Sequence, residues 1–169
     1  MERLEHIGIA VKNLEESNKV FARLLGVEHY KIEEVASEGV RTSFFKLGNV
    51  KIELLEATRP DSPIAKFIEK KGEGIHHLAF ETKNVNDDLK RYEADGFSLI
   101  NVAPKAGADN KLIAFLHPKS THGVLTELCQ EISVSSWVFC WALYRIVGYC
   151  NSPTLLLLPY NCGPVARMK

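Results

Sequence analysis

The sequence has no surplus of charge to offer a polyanion: 21 Lys+Arg stand against 21 Asp+Glu in 169 residues. Nucleic-acid binding draws its strength from basic side chains that neutralise phosphates, so this balance gives no case for such a partner. The chain has no clean apolar run of the roughly 20 residues that a bilayer-crossing helix needs. The nearest candidate, Trp137–Tyr149, holds 13 residues with Arg145 among them, so no membrane partner is expected. Met1-Glu2-Arg3-Leu4-Glu5-His6 shows neither a basic segment leading into an apolar one nor an acid-poor, Arg-rich presequence. Cysteine is scarce where the charges lie: residues 1–132 contain Cys129 alone, which points to a reduced, cytoplasmic setting. Apolar residues at 46% and charged residues at 25% exclude disorder and collagen-like structure.

The charges are unevenly placed. Residues 1–132 carry 18 basic and all 21 acidic groups, a net of −3, whereas residues 133–169 carry three basic groups, no acid and no His. That last stretch mixes Trp137-Val138-Phe139-Cys140-Trp141 with Leu155-Leu156-Leu157-Leu158-Pro159 and has no helical or strand period. Its composition resembles translation through a non-coding stretch more than an evolved domain. Residues 1–132 are therefore expected to form the working domain, and 133–169 an atypical extension outside it.

An internal repeat organises that domain. His6-Ile7-Gly8-Ile9-Ala10-Val11-Lys12-Asn13-Leu14 returns 71 residues later as His77-Leu78-Ala79-Phe80-Glu81-Thr82-Lys83-Asn84-Val85. Each copy is an apolar run of strand length. An Asn able to cap a helix follows, with acids in the first turn (Glu15 and Glu16; Asp87 and Asp88) where the dipole favours them. Gly26 and Gly96 stand where each helix is expected to end. Strand signals come next: Val40–Leu47 and Val50–Glu56 around a Gly48-Asn49 hairpin, then Leu112–Leu116 and Val124–Cys129 around a longer loop. Ile64–Lys71 is expected to form a short connecting helix. The pattern predicts an α+β fold: two βαβββ modules, about 4–57 and 75–131, paired edge to edge into a curved mixed sheet.

Four polar residues stand out on the predicted strands. His6 opens the first module and Glu53 lies on its last strand, 47 residues on; His77 opens the second and Glu127 lies on its last strand, 50 residues on. Taken singly, a strand His is usually a hydrogen-bonded core residue and a strand Glu usually faces water. A carboxylate among apolar neighbours is expensive unless paired or metal-bound. Two His and two Glu related by one repeat suit a six-coordinate divalent ion with two positions left over. His76 is set aside because strand alternation turns it away from His77. His29 reads as a surface residue, and His117 and His122 as loop residues.

Leu4–Val11, Leu47–Glu56, Asp61-Ser62-Pro63-Ile64-Ala65-Lys66-Phe67, Gly74–Glu81, Phe115-Leu116-His117-Pro118-Lys119 and Gly123–Gln130 form a further set of segments. Together they resemble the methylmalonyl-CoA epimerases of the vicinal oxygen chelate (glyoxalase-like) superfamily. The resemblance covers residues 4–131. It implies a homodimer acting on an acyl-CoA, with a divalent ion (Co2+ or a similar ion) held by His6, Glu53, His77 and Glu127. It implies epimerisation of (2R)- and (2S)-methylmalonyl-CoA at C2 through a metal-stabilised enolate, with Glu127 as one base and Glu38, in Ala36-Ser37-Glu38-Gly39-Val40, as the other. The family often has Gln where Glu53 stands, so this site gains a negative charge. Two other functions use the same fold: glyoxalase I, which isomerises a hemithioacetal with a His/Glu/His/Glu set, and non-catalytic binding proteins, which often lack the ligands.

Overall fold

The structure, a computed structural model, describes residues 1–132; the extension expected at 133–169 lies outside the described residues. Each half of the repeat opens on an apolar strand that turns into a helix at an asparagine. Strand β1 (Arg3–Val11) leads into α1 (Leu14–Leu25), where the Asn13 side chain accepts from the Glu16 N–H at 2.9 Å. The helix stops at Gly26, whose φ of 69° is a conformation that side-chain-bearing residues avoid. Three strands follow: β2 (Lys31–Val35), β3 (Val40–Leu47) and β4 (Val50–Ala57), the last two joined through Gly48-Asn49. Helix α2 (Pro63–Lys71) connects the halves, capped by Ser62 with Pro63 in its first turn.

The second half repeats this order with β5 (Gly74–Glu81), α3 (Val85–Ala94), β6 (Lys105–Ala106), β7 (Lys111–Leu116) and β8 (Thr126–Glu131). Asn84 caps α3 by accepting from the N–H groups of Asn86 and Asp87. Strand β6 is only two residues long, because its surroundings, with Pro104 and Gly107, are poor in the β-branched and aromatic residues that hold a ladder. All eight strands join one mixed sheet, in the order β2-β3-β4-β1-β5-β8-β7-β6. Within each module the first and last strands run parallel (β1 with β4, β5 with β8), and the two first strands pair antiparallel at the centre. This is the expected arrangement of paired βαβββ modules.

Strand alternation divides the sheet into a packed face and a working face. On β4, Ile52 and Leu54 pack with Leu14 and Phe45 beneath α1, while Lys51, Glu53 and Leu55 line a cavity on the other side. On β7, Ala114 and Leu116 pack with Val85 and Leu89 beneath α3, while Ile113 and Phe115 face the cavity. His29, expected at the surface, is half-buried, its ring edge-on to Phe45 at 5.9 Å between centroids.

The packed face sets a contrast in stability. Leu54 is fully buried beneath α1 whereas Leu24, on the same helix's outer side, is 72% exposed. Leu54→Ala is expected to cost about 2–5 kcal/mol, and Leu24→Ala under about 0.5 kcal/mol. Urea unfolding of both variants checks this; equal losses would contradict the division of faces.

Candidate metal centre

The pairing of β1 with β5 brings the two repeated histidines together. His6 lies opposite Ala79 and His77 opposite Gly8, so each imidazole faces a small residue on the neighbouring module's strand. The fit at Gly8 is tight: a Cβ there would stand 2.2 Å from Cε1 of His77. The imidazole Nε2 atoms of His6 and His77 approach to 3.0 Å. From the parallel neighbours β4 and β8 come the two carboxylates. Glu53 Oε2 lies 3.1 Å from His6 Nε2 and 3.6 Å from His77 Nε2. Glu127 presents Oε2 at 3.4 Å from His77 Nε2 and Oε1 at 3.9 Å from His6 Nε2. Thr42 Oγ1 donates to the other oxygen of Glu53 at 2.8 Å, which aims Oε2 at the histidines.

Burial decides the electrostatics. Glu5, His6, Glu53, His77 and Glu127 are only 2–6% exposed. Burial works against a charged His6, yet Glu53, Glu5 and Glu127 overcome it and hold the imidazole's pKa up at about 10. Glu53, despite its own burial, is pulled well below the usual carboxylate range by His6 and His77. Glu127 is pushed up by burial, which His6 and His77 only partly offset. The cluster thus demands positive charge at its centre.

A divalent ion answers that demand with the donor types present: imidazole nitrogen and carboxylate oxygen. Two donors bound at about 2.1 Å and at right angles to one ion stand about 3 Å apart. The separations between donor atoms here, 3.0–3.9 Å, are of that order. The donor atoms of His6, His77 and Glu127 all lie within 4.8 Å of one another, and Glu53 flanks both imidazoles, so these residues fit a metal. The nearby Cys129 thiol is buried, and that burial together with Glu127 and Glu5 drives its pKa far up.

Glu38 comes to the same cavity from elsewhere. It sits in the turn between β2 and β3, where Gly39 adopts a φ of 63° and Arg59 donates to the carbonyls of Ala36 and Ser37 at 3.1 Å each. Its carboxylate pairs with Lys105 Nζ at 2.5 Å, an ion pair that ties the first module to the second. Glu38 stands outside the four-donor cluster, but both it and Glu127 line one cavity of about 310 Å3. Apolar walls from Val35, Val40, Leu55, Ile64, Ile113 and Phe115 complete that cavity.

Three further residues belong to this site: Glu5, Lys51 and Lys111. Glu5 is buried beside His6, and Lys51 and Lys111 reach its Oε1 at 2.6 and 3.4 Å. An acid within an apolar strand, next to a candidate ligand, was the available clue to Glu5. His76 is the other departure. Instead of turning away, it lines the cavity with its Nδ1 2.9 Å from His77 Nδ1, because β5 bulges at that residue: Gly8 pairs with His77 and Ile9 with Ile75.

Residues 5–115 match the family model of the Glyoxalase/Bleomycin resistance protein/Dioxygenase superfamily. The chain belongs to that superfamily. Within it, its similarities run to methylmalonyl-CoA epimerases. The ethylmalonyl-CoA/methylmalonyl-CoA epimerase of Cereibacter sphaeroides is 41% identical over 132 residues, spanning 76% of this chain and 97% of that protein. Bacillus subtilis YqjC, described as uncharacterized, is 41% identical over 130 residues, spanning 77% of this chain and 93% of its own length. A Streptomyces coelicolor methylmalonyl-CoA epimerase variant, solved in complex with 2-nitronate-propionyl-CoA, superposes with a TM-score of 0.76 at 36% identity, covering 79% of this chain and 97% of that one. Among the described residues, no helix is long and apolar enough to cross a membrane.

Gly8→Ala is the sharpest probe of this packing. The added methyl must displace the His77 ring, so the variant is expected to fold while losing about tenfold or more in affinity for Co2+. Equilibrium dialysis checks this, and wild-type affinity in the variant would show that the ring approach is unimportant.

Proposed function

We propose that this chain is a methylmalonyl-CoA epimerase that interconverts the (2R) and (2S) thioesters by moving a proton at C2. One observation carries the proposal: two buried histidines and two buried carboxylates come from four repeat-related strands, with the imidazole Nε2 atoms 3.0 Å apart and each 3.1–3.9 Å from both carboxylates, in a cavity that Glu38 also lines. The epimerases among the relatives support the substrate assignment, and the nitronate-bearing ligand of the Streptomyces protein has the planar, oxygen-charged form of an enolate.

His6, Glu53, His77 and Glu127 are the residues that would hold a divalent ion. When bound, the ion supplies Lewis acidity to the thioester oxygen on which charge develops, worth several kcal/mol. The chain's own groups do the rest. Epimerisation needs proton exchange on both faces of a planar carbon, and Glu127 and Glu38 reach the cavity from different modules to serve them. Lys105 fixes the orientation of Glu38. The apolar walls exclude water from the carbanionic centre. The protein is taken to act as a cytoplasmic homodimer on its acyl-CoA, each chain carrying its own complete donor set.

The test is deuterium wash-in at C2 of methylmalonyl-CoA in D2O. Co2+-loaded protein is expected to exchange, and chelator to abolish exchange. Glu38→Ala is expected to keep Co2+ affinity and lose epimerisation by about 10²–10⁴-fold. No exchange by the loaded protein, together with S-lactoylglutathione formation from the hemithioacetal, would give the site to glyoxalase chemistry. Exchange without any metal would overturn the role of the donor set, and wild-type turnover in Glu38→Ala would overturn its role as a base.

A further inference from the structure

The central pair of strands carries two irregularities, and they fall at equivalent points of the repeat. On β1 the register steps from Leu4 opposite Phe80 to His6 opposite Ala79, leaving Glu5 as the extra residue. On β5 it steps from His77 opposite Gly8 to Ile75 opposite Ile9, leaving His76 as the extra residue. Glu5 and His76 are the residues immediately before His6 and His77. In a regular strand each would point to the face opposite its neighbour. The bulges turn both toward the same side, where each meets the neighbouring imidazole.

The contacts are alike in kind. Glu5 Oε2 lies 2.6 Å from Nδ1 of His6, and His76 Nδ1 lies 2.9 Å from Nδ1 of His77. In both histidines Nε2 is the nitrogen aimed at the other three donors. The supporting residues are themselves held. Lys51 Nζ reaches Glu5 Oε1 at 2.6 Å and Asp109 at 2.7 Å, and the His76 ring stands edge-on to Phe67 of α2 at 4.9 Å between centroids.

We propose that Glu5 and His76 are paired positioning residues, each accepting the Nδ1–H of the histidine that follows it and so keeping that histidine's Nε2 lone pair on the metal centre. This rests on the reading of His6 and His77 as metal ligands. An imidazole has two nitrogens, and the hydrogen bond made by one decides which the other presents. A β-bulge at each position is the backbone device that makes an adjacent residue available for this purpose. The two partners differ in charge: Glu5 offers His6 a carboxylate oxygen, and His76 offers His77 an imidazole nitrogen.

The experiment compares wild type with Glu5→Leu, Glu5→Gln and His76→Phe, which keeps a ring against Phe67 but has no acceptor. Co2+ affinity is measured by equilibrium dialysis. Nδ1–H signals are read by proton NMR of the Zn2+-loaded, 15N-histidine-labelled proteins. Glu5→Leu and His76→Phe are expected to lose about 10–100-fold in affinity. Glu5→Gln, which keeps an acceptor without the charge, is expected to fall between and remains informative if Glu5→Leu does not fold. Glu5→Leu should remove the slowly exchanging Nδ1–H signal of His6 alone, and His76→Phe that of His77 alone. Unchanged affinities, or both signals lost together in each variant, would overturn the positioning roles. Wild-type protein that takes up neither ion would overturn the metal centre itself, an outcome distinct from metal uptake that the variants leave unaltered.

Discussion

Burying two carboxylates against the same two imidazoles creates a demand for positive charge that the rest of the structure is arranged to meet. Glu53 and Glu127 are removed from water and share the same two imidazoles, with Glu5 one residue further out. Left uncompensated, such a cluster would be strongly destabilising. Its response is visible in His6, whose imidazolium the surrounding acids sustain up to a pKa of about 10 despite burial. A divalent ion satisfies the same requirement and, unlike a proton on His6, leaves every donor free to bind. Lys51 and Lys111, drawn in toward Glu5, extend the compensation outward.

The repeat explains how one chain can assemble this from distant segments. Because the modules meet through their first strands, His6 and His77 become near neighbours, and the parallel partners of those strands bring Glu53 and Glu127 alongside. Gly8 and Ala79 supply the room that each module's histidine needs in the other. Contacts between the sheet's two edges then close the site's far side. Lys105 of β6 pairs with Glu38 beyond β2, and Asp109 takes Lys31 and Lys51 while its N–H donates to Glu33 at 3.0 Å. The four donors thus belong to the sheet's centre, whereas Glu38 depends on side-chain contacts across its opening.

What could be read from the sequence divides along the same line. The modules, the asparagine caps, the Gly48-Asn49 hairpin and the fold class follow from periodicities that local physics enforces. His6, Glu53, His77 and Glu127 were legible as candidates because a repeat doubles each coincidence. His76 departs from the alternation because alternation holds only while the register holds, and a bulge is decided by the pairing of two strands rather than by either alone. A matching register step between Leu4 and His6 brings Glu5 to the site. The ion pair of Glu38 with Lys105 joins residues 67 apart, in a turn and a two-residue strand that no hydrophobic period marks.

Anomalous scattering at the cobalt edge, from crystals grown with Co2+, tests the demand for central charge most directly. A single strong peak within bonding distance of His6 Nε2, His77 Nε2 and one oxygen each of Glu53 and Glu127 is the expected result. A peak held by other residues, or none at this cluster in crystals that take up the ion elsewhere, would contradict it.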